Sequence, residues 1–430
     1  QSYEQRIAQL EQKLAQAEKQ PAAANRPPVE TAMPAAAARR AEAVNTTANG
    51  FNPEVSLILQ GQYLNAKDNG GRGITGFLPV GVDGNTRSRG FTLDATELVL
   101  AANVDPYWRG QAIVAMVDGT ASVEEAWFQS LGLGNGFGLK LGRFRSGIGY
   151  LNEQHPHMWD FADAPLMYQT MFGSEGSYGQ DGVQAKWLAP TDLFIELGAE
   201  AGRGANFPGS DRNKNGNGAT ALFAHIGGDA GPANEWRAGL SLLRTSAQAR
   251  ESLLNDAVNG VDALGRFTGD SNTLIADFVW KWAPNGNPKY QNFKFQTEYF
   301  QRREKGDLAC VDADVTTPTS CNGVVDAYRS RQSGWYAQGV YQFTPNWRAG
   351  LRYEQLTSGM RDFGSGRNAA AFAVDAFKPQ KTSAMIDYRW SEFSRVRLQF
   401  AQDKSMRDLT ENQITLQYIM SLGAHGAHKF

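Results

Sequence analysis

Cysteine is scarce in this chain, with only Cys310 and Cys321, both inside one polar stretch. No third or fourth ligand lies nearby, so a disulfide closing a short loop in an oxidising compartment is the expected state; two free thiols or a soft metal pair are the alternatives. Long apolar runs are missing too. None approaches the ~18 residues of a spanning helix, so any passage through a membrane must be made by strands. Neither sign of charge dominates, 42 basic residues standing against 44 acidic ones, and no nucleic acid or other polyanion is expected as a partner. A signal peptide is lacking as well: Gln1 opens a polar helical segment, as expected of a mature, cleaved chain. What is plentiful is glycine (46 of 430) and aromatic side chains (10 Trp, 14 Tyr and 23 Phe). That pairing suits an all-β membrane barrel better than a cytoplasmic enzyme.

Residues 1–20 place Tyr3, Ile7, Leu10, Leu14 and Ala17 at spacings of four, three, four and three, an a/d seam. Fewer than three heptads do not hold a coiled coil alone, so a larger assembly such as a trimeric barrel is expected to bring the helices together; a single solvated amphipathic helix is the alternative. Residues 21–50 are Pro/Ala-rich with no apolar period and read as a periplasmic linker. Residues 1–50 are also where contact with periplasmic partners or peptidoglycan would be made.

From Phe51 to Phe430 the chain alternates segments of period two with two kinds of connection. Short turns fall at 104–108, 131–136, 189–192, 228–235, 283–289, 344–346 and 390–394. Longer polar stretches fall between them, at 65–90, 118–122, 146–178, 203–217, 247–270, 304–331, 359–379 and 404–412. Short turns at one end and long loops at the other are the pattern of a bacterial outer-membrane barrel. The segments number sixteen, so the expected fold is all-β: a 16-stranded antiparallel transmembrane β-barrel with a short N-terminal α-helical coiled-coil segment. Trp108, Trp187, Trp236, Trp282, Trp347 and Trp390 sit beside the short turns, as a girdle at one membrane rim requires. Parity places Leu197, Leu274, Phe278, Leu351, Leu416 and Tyr418 outward, towards lipid and lipopolysaccharide. It places Glu196, Asp277, Lys294, Gln296, Glu298, Arg348, Arg352, Glu354, Gln413, Thr415 and Gln417 inward, on a wall so polar that it is expected to hold water. Alternation is weakest in strands two to four, where neighbouring barrels of a homotrimer are expected to touch.

The longest connection, 146–178, carries two histidines, several acids and a cluster of aromatics. A loop of this length in a compact domain is rare unless it is functional, and this one reads as a constriction folded into the lumen. The eyelet is expected to set Glu153, His155, His157, Asp160 and Asp163 against Arg348, Arg352 and Arg397, giving a transverse field that orients dipolar solutes. The alternative is that the arginines only pair with lumenal acids such as Glu354 and Asp387. His155 and His157 can aim both rings to one side, with Glu153 or Asp160 as a third zinc ligand; His425 and His428 form a second pair three apart. Packing on Trp159 and Phe161 is the plainer role for the first pair, and His225 reads as structural.

Several stretches resemble a family of Gram-negative outer-membrane proteins usually labelled zinc-regulated or TonB-dependent outer membrane receptors, though porin-like in pattern: GRFRSGIGYLNEQHPHMWDFADAPL (142–166), DGVQAKWLAPTDLFIELGAE (181–200), LFAHIGGD (222–229) and QYIMSLGAHGAHKF (417–430). More distantly, the plan of helix, linker and barrel is similar to dicarboxylate-type and phosphate-selective trimeric porins. The resemblance implies expression under zinc limitation and so a role for the histidines. A terminal Phe430 is similar to the aromatic end that barrel-insertion machinery recognises. The first expectation is therefore a passive porin for small hydrophilic solutes or ions, needing no cofactor. The second is a zinc-binding uptake protein of the outer membrane, and the third a closed structural barrel. An enzyme is not expected, since no Ser/His/acid constellation is visible.

Overall fold

A computed structural model describes residues 53–423 apart from 69–72, 79–87, 95, 118, 174–175, 360, 365 and 373–375. The expected coiled-coil helix at 1–20, the linker at 21–50, the His425 and His428 pair and Phe430 lie outside the described residues. Among the described residues the chain forms sixteen antiparallel strands in one closed sheet. They are β1 (Glu54–Asn65), β2 (Gly90–Leu93 and Thr96–Asn103, one strand interrupted at Asp94), β3 (Trp108–Val117), β4 (Thr120–Ser130), β5 (Phe137–Arg145) and β6 (Gly179–Leu188). Next come β7 (Phe194–Gly202), β8 (Ala219–Asp229), β9 (Asn234–Asp256), β10 (Val261–Trp282) and β11 (Asn292–Asp312). The last five are β12 (Val325–Gln342), β13 (Trp347–Thr357), β14 (Gln380–Ser391), β15 (Ser394–Met406) and β16 (Leu409–Gly423). Each strand pairs with its sequence neighbours, and β1 closes the ring on β16 with Ser56 opposite Gly423 and Asn65 opposite Ile414. Closure leaves no sheet edge, which is what a sheet surrounded by hydrocarbon requires.

The period-two sorting holds where it is clearest. On β13, Arg348, Arg352 and Glu354 are buried inward, while Leu351 is 67% exposed outward. On β16, Gln413, Thr415 and Gln417 turn in and Ile414, Leu416 and Tyr418 turn out. Trp347 and Trp390 are exposed beside the short turns, Trp347 packing on Tyr388 at 4.8 Å between ring centroids.

Two expectations need correction. The stretches 247–270, 304–331 and 404–412 are not loops for most of their length: the ladder continues, so that β9 and β10 run paired to Asp256 and Val261, and β11 to Ala309 opposite Val325. Beyond the membrane a hairpin meets water outside as well as inside. Its outward positions lose their apolar character while its backbone pairing goes on.

The second correction concerns the lumen, which is not lined by polar groups and water throughout. A buried apolar cluster fills part of it, with Ile148, Leu166, Met171 and Phe172 of the long loop packed on Leu243, Ile275, Phe300, Tyr336 and Leu356 of the wall. These wall residues share the parity of their polar neighbours, so alternation alone does not separate them.

At the long-loop end a second cluster joins Phe267, Leu308, Tyr328, Phe363 and Phe372 around the Cys310–Cys321 disulfide, whose Cα atoms are 5.7 Å apart. The helix α2 (Arg367–Phe372) packs there too. The bridge closes a loop eleven residues apart in sequence, worth about 3 kcal/mol through the unfolded loop's entropy. Replacing both cysteines by serine (C310S and C321S) is expected to speed protease cleavage between residues 311 and 320 while the barrel stays intact on a heat-modifiability gel. Unchanged cleavage would assign that end's order to the apolar cluster alone.

Candidate functional site

The segment 146–178 leaves β5 at Arg145, folds into the lumen and returns at Gly179 to β6. Asn152 staples its two ends. Its Nδ2 donates to the carbonyls of Ser146 and Tyr178 at 2.7 and 2.9 Å, and its Oδ1 accepts from the Tyr178 N–H at 2.6 Å. Between them lie a 3-10 turn (Pro156–Met158) and the short helix α1 (Leu166–Phe172). Gly334 on β12 makes room for that helix, since a Cβ there would lie 2.3 Å from Leu356 and 3.0 Å from Met167.

An irregular segment buried in a barrel must find partners for its backbone groups. The wall supplies them according to chemistry. Carboxylates take the N–H groups: Glu200 accepts from Gly147 at 2.8 Å, Glu298 from Leu151 at 3.0 Å and Glu354 from Leu166 at 2.5 Å. Guanidinium groups take the carbonyls: Arg395 donates to His157 at 2.8 Å, Arg397 to Trp159 at 2.9 Å and Arg352 to Asp163 at 2.9 Å. Charged hydrogen bonds of this kind are about twice as strong as neutral ones. They hold the loop in a definite position rather than letting it hang in solvent.

The structure brings together most of the residues singled out for the eyelet. Asp160 accepts from Arg348 at 2.7 Å and pairs with Lys294. Asp163 receives Arg352 at 2.8 Å, Lys381 at 2.5 Å and Gln399 at 2.9 Å. Burial works to raise the Asp160 carboxyl, but Lys294, Arg348 and Arg397 outweigh it and hold the group well below the usual carboxylate range. Arg397 also pairs with Asp387 at 2.8 Å, and Arg352 with Glu354 at 2.7 Å. The acidic loop thus does face a basic wall, and the arginines pair with lumenal acids as well. Glu153 stands apart, 3.2 Å from Lys186. His225 is buried on β8 with Nδ1 3.1 Å from Glu196.

His155 and His157 do lie side by side, their ring centroids 5.8 Å apart. Their acidic neighbours are neither Glu153 nor Asp160 but Glu97 on β2 and Glu124 and Glu125 on β4. Two successive residues of a strand normally point to opposite faces. Here the register slips between Ile113 and Val114, leaving Glu124 unmatched in the β3–β4 ladder, and such a bulge re-aims side chains. Both burial and Arg145 work to lower the His155 pKa; Glu97, Glu124 and Glu125 overcome them and lift it to about 10.

Among the described residues, cavities lie on the short-turn side of the loop. One of about 440 Å³ is lined by Glu97, Glu125, His155, His157 and Lys140 among others. A second, about 260 Å³, is bounded by Lys281, Lys294, Arg348, Arg389 and Arg395 with Asp160. A third, about 410 Å³, lies beside Asp160, Lys281, Lys294 and Arg348. Charges border the first in near balance, Arg109, Lys140, Arg145 and Arg237 against Glu97, Glu125 and Glu153, whereas five cations meet only Asp160 and Glu392 at the second.

A closed antiparallel barrel with a loop folded inside is the architecture of outer-membrane porins. Among solved structures the chain is similar to a loop-deletion mutant of OmpT, an outer membrane protein of Vibrio cholerae, with a TM-score of 0.52, 10% identity and coverage of 86% of this chain and 99% of that one. It is also similar to OmpT in its trimer form (TM-score 0.50, 12% identity, 86% and 99% covered). At such identities the likeness is one of fold. No family model matches the chain. It belongs to the same family as an uncharacterized protein of Aquifex aeolicus, 30% identical over 416 residues that span 88% of this chain and 80% of the relative. The comparisons carry the porin-like half of the resemblance noted above and not its zinc-regulated, TonB-dependent receptor label; they give no support to a metal-uptake function.

Proposed function

We propose that the protein is an outer-membrane porin of a Gram-negative cell: a passive diffusion channel for small hydrophilic solutes and ions, seated in lipid and lipopolysaccharide, and not an enzyme. The observation that carries this reading is the combination of an apolar outward band, a charged inward wall and one long loop held inside by that wall. Selectivity then follows from aperture and wall charge, with no bond made or broken. A homotrimer fits the same reading. Phe91, Leu93 and Leu100 on β2 and Val123 and Phe128 on β4 are exposed apolar groups on the strands where a neighbouring barrel would dock. Reconstitution into planar bilayers is expected to give discrete porin-sized conductance steps, and liposomes carrying the protein are expected to swell in sugar solutions. Absence of both would leave a closed structural barrel as the better description.

A further inference from the structure

We propose that Glu97, Glu124 and His155, with His157 beside them on Glu97, form a site for one divalent transition-metal ion, which would clasp the lumenal loop to strands β2 and β4. The proposal rests on the spacing of donor atoms. His155 Nδ1 lies 3.2 Å from Glu97 Oε2 and 3.2 Å from Glu124 Oε2, and His157 Nδ1 lies 3.4 Å from the same Glu97 oxygen. The donor atoms of Glu97, Glu124 and His155 all fall within 4.8 Å of one another. Zinc binds imidazole nitrogen and carboxylate oxygen at about 2.0–2.2 Å in a tetrahedron, whose edges are then roughly 3.3–3.5 Å. The two separations from His155 Nδ1 are close to such edges.

A second observation is independent of distance. Glu97 is 1% exposed, yet neither of its carboxylate oxygens makes a hydrogen bond, and neither does His155 Nδ1. Buried polar groups are ordinarily satisfied. These meet at ion-pair distance without hydrogen-bond geometry, as ligands around a common centre do. The other ring nitrogen of His155, Nε2, is 3.4 Å from Glu125 Oε1. A carboxylate on the far nitrogen is the usual way a metal-binding histidine is oriented, with the proton kept there and the near lone pair left for the ion. Arg145 reaches Glu124 at 2.8 Å, so three carboxylates face one guanidinium and the His155 imidazole, and a divalent ion taking the place of the imidazole's proton would balance them. The 440 Å³ cavity bordered by Glu97, His155 and His157 gives an entry path.

Such an ion differs from a transported solute: it joins loop to wall on the side away from the Asp160 and Asp163 pairs. Proton and metal compete for the same nitrogen, whose proton the neighbouring carboxylates hold tightly, so the titration is run at two pH values and zinc should bind more tightly at the higher. Zinc chloride titrated calorimetrically into the full-length protein in detergent is expected to show one ion per barrel. Affinity should fall at least tenfold in Glu97→Gln and in His155→Gln, each checked for an intact barrel by heat modifiability. A variant with His425 and His428 both replaced by alanine should keep the site. No zinc binding, or binding lost with the tail histidines and kept in Glu97→Gln, would overturn the proposal. The binding readout does not depend on conductance, so it stands or falls separately from the channel reading.

Discussion

Excising residues 150–170 and bridging the gap with a short glycine–serine linker is expected to raise single-channel conductance several-fold. A sixteen-stranded barrel with nothing inside leaves an aqueous channel. In this chain the segment 146–178 narrows the interior most fully among the described residues, its Leu166, Met171 and Phe172 packing against Leu243, Ile275, Phe300 and Leu356 of the wall, with Phe77 of the 65–90 connection joining the same cluster. Strand pairing does not run through that segment, because β5 and β6 are hydrogen-bonded to each other from Phe137 opposite Trp187 to Arg145 opposite Gly179. The barrel should therefore survive the excision. Glu298 and Glu354, which now accept the N–H groups of Leu151 and Leu166, would be solvated instead. The measurement is the unitary current in a symmetric salt solution, with a heat-modifiability gel to show that the barrel is closed. If the current is unchanged, the narrowest point lies elsewhere and the connection is not a constriction.

The barrel was legible because lipid imposes a rule on every strand. Outward side chains must be apolar and the backbone must pair, so period two and the alternation of short and long connections reveal sixteen strands. The rule lapses where both faces meet water, and the outer parts of β9, β10 and β11 therefore read as loops. The interior was legible only in part. Parity puts Glu298, Arg352 and Glu354 on the inner wall, but whether an inner residue meets water or a folded loop depends on contacts between distant segments. Proximity in sequence points to Glu153 and Asp160 as the partners of His155 and His157, whereas the fold brings Glu97, Glu124 and Glu125 to them from distant strands. Glu153 instead sits by Lys186, and Asp160 by Arg348 and Lys294. A hint was present: Glu124 and Glu125 are adjacent in a strand that ought to alternate, and two neighbouring carboxylates cannot both avoid lipid without a bulge. Weak alternation in those strands thus has a second cause besides a subunit contact.

The other large effect is expected from Asp163→Asn. Asp163 is buried and receives Arg352 at 2.8 Å, Lys381 at 2.5 Å and Gln399 at 2.9 Å, while its carbonyl takes a further bond from Arg352. Removing one charge from such a group leaves the opposite charges buried without a full partner, a change that typically costs about 3–5 kcal/mol. The strand ladder does not involve Asp163, so the cost falls on docking of the loop rather than on the barrel. Amide exchange across 162–172 should therefore quicken by about a hundred- to several-thousand-fold as exchange follows local opening, with exchange in β13 and β14 little changed. The channel current should also become noisier as the loop samples undocked positions. A second change, Lys381→Met on the Asp163→Asn background, removes the ammonium that has lost its shortest ion pair. Because the two residues share one network, the double variant should recover part of the protection rather than lose more. Additive losses in the two variants would mean that Asp163 and Lys381 act independently. The loop would then be held mainly by its apolar face on Phe300 and Leu356.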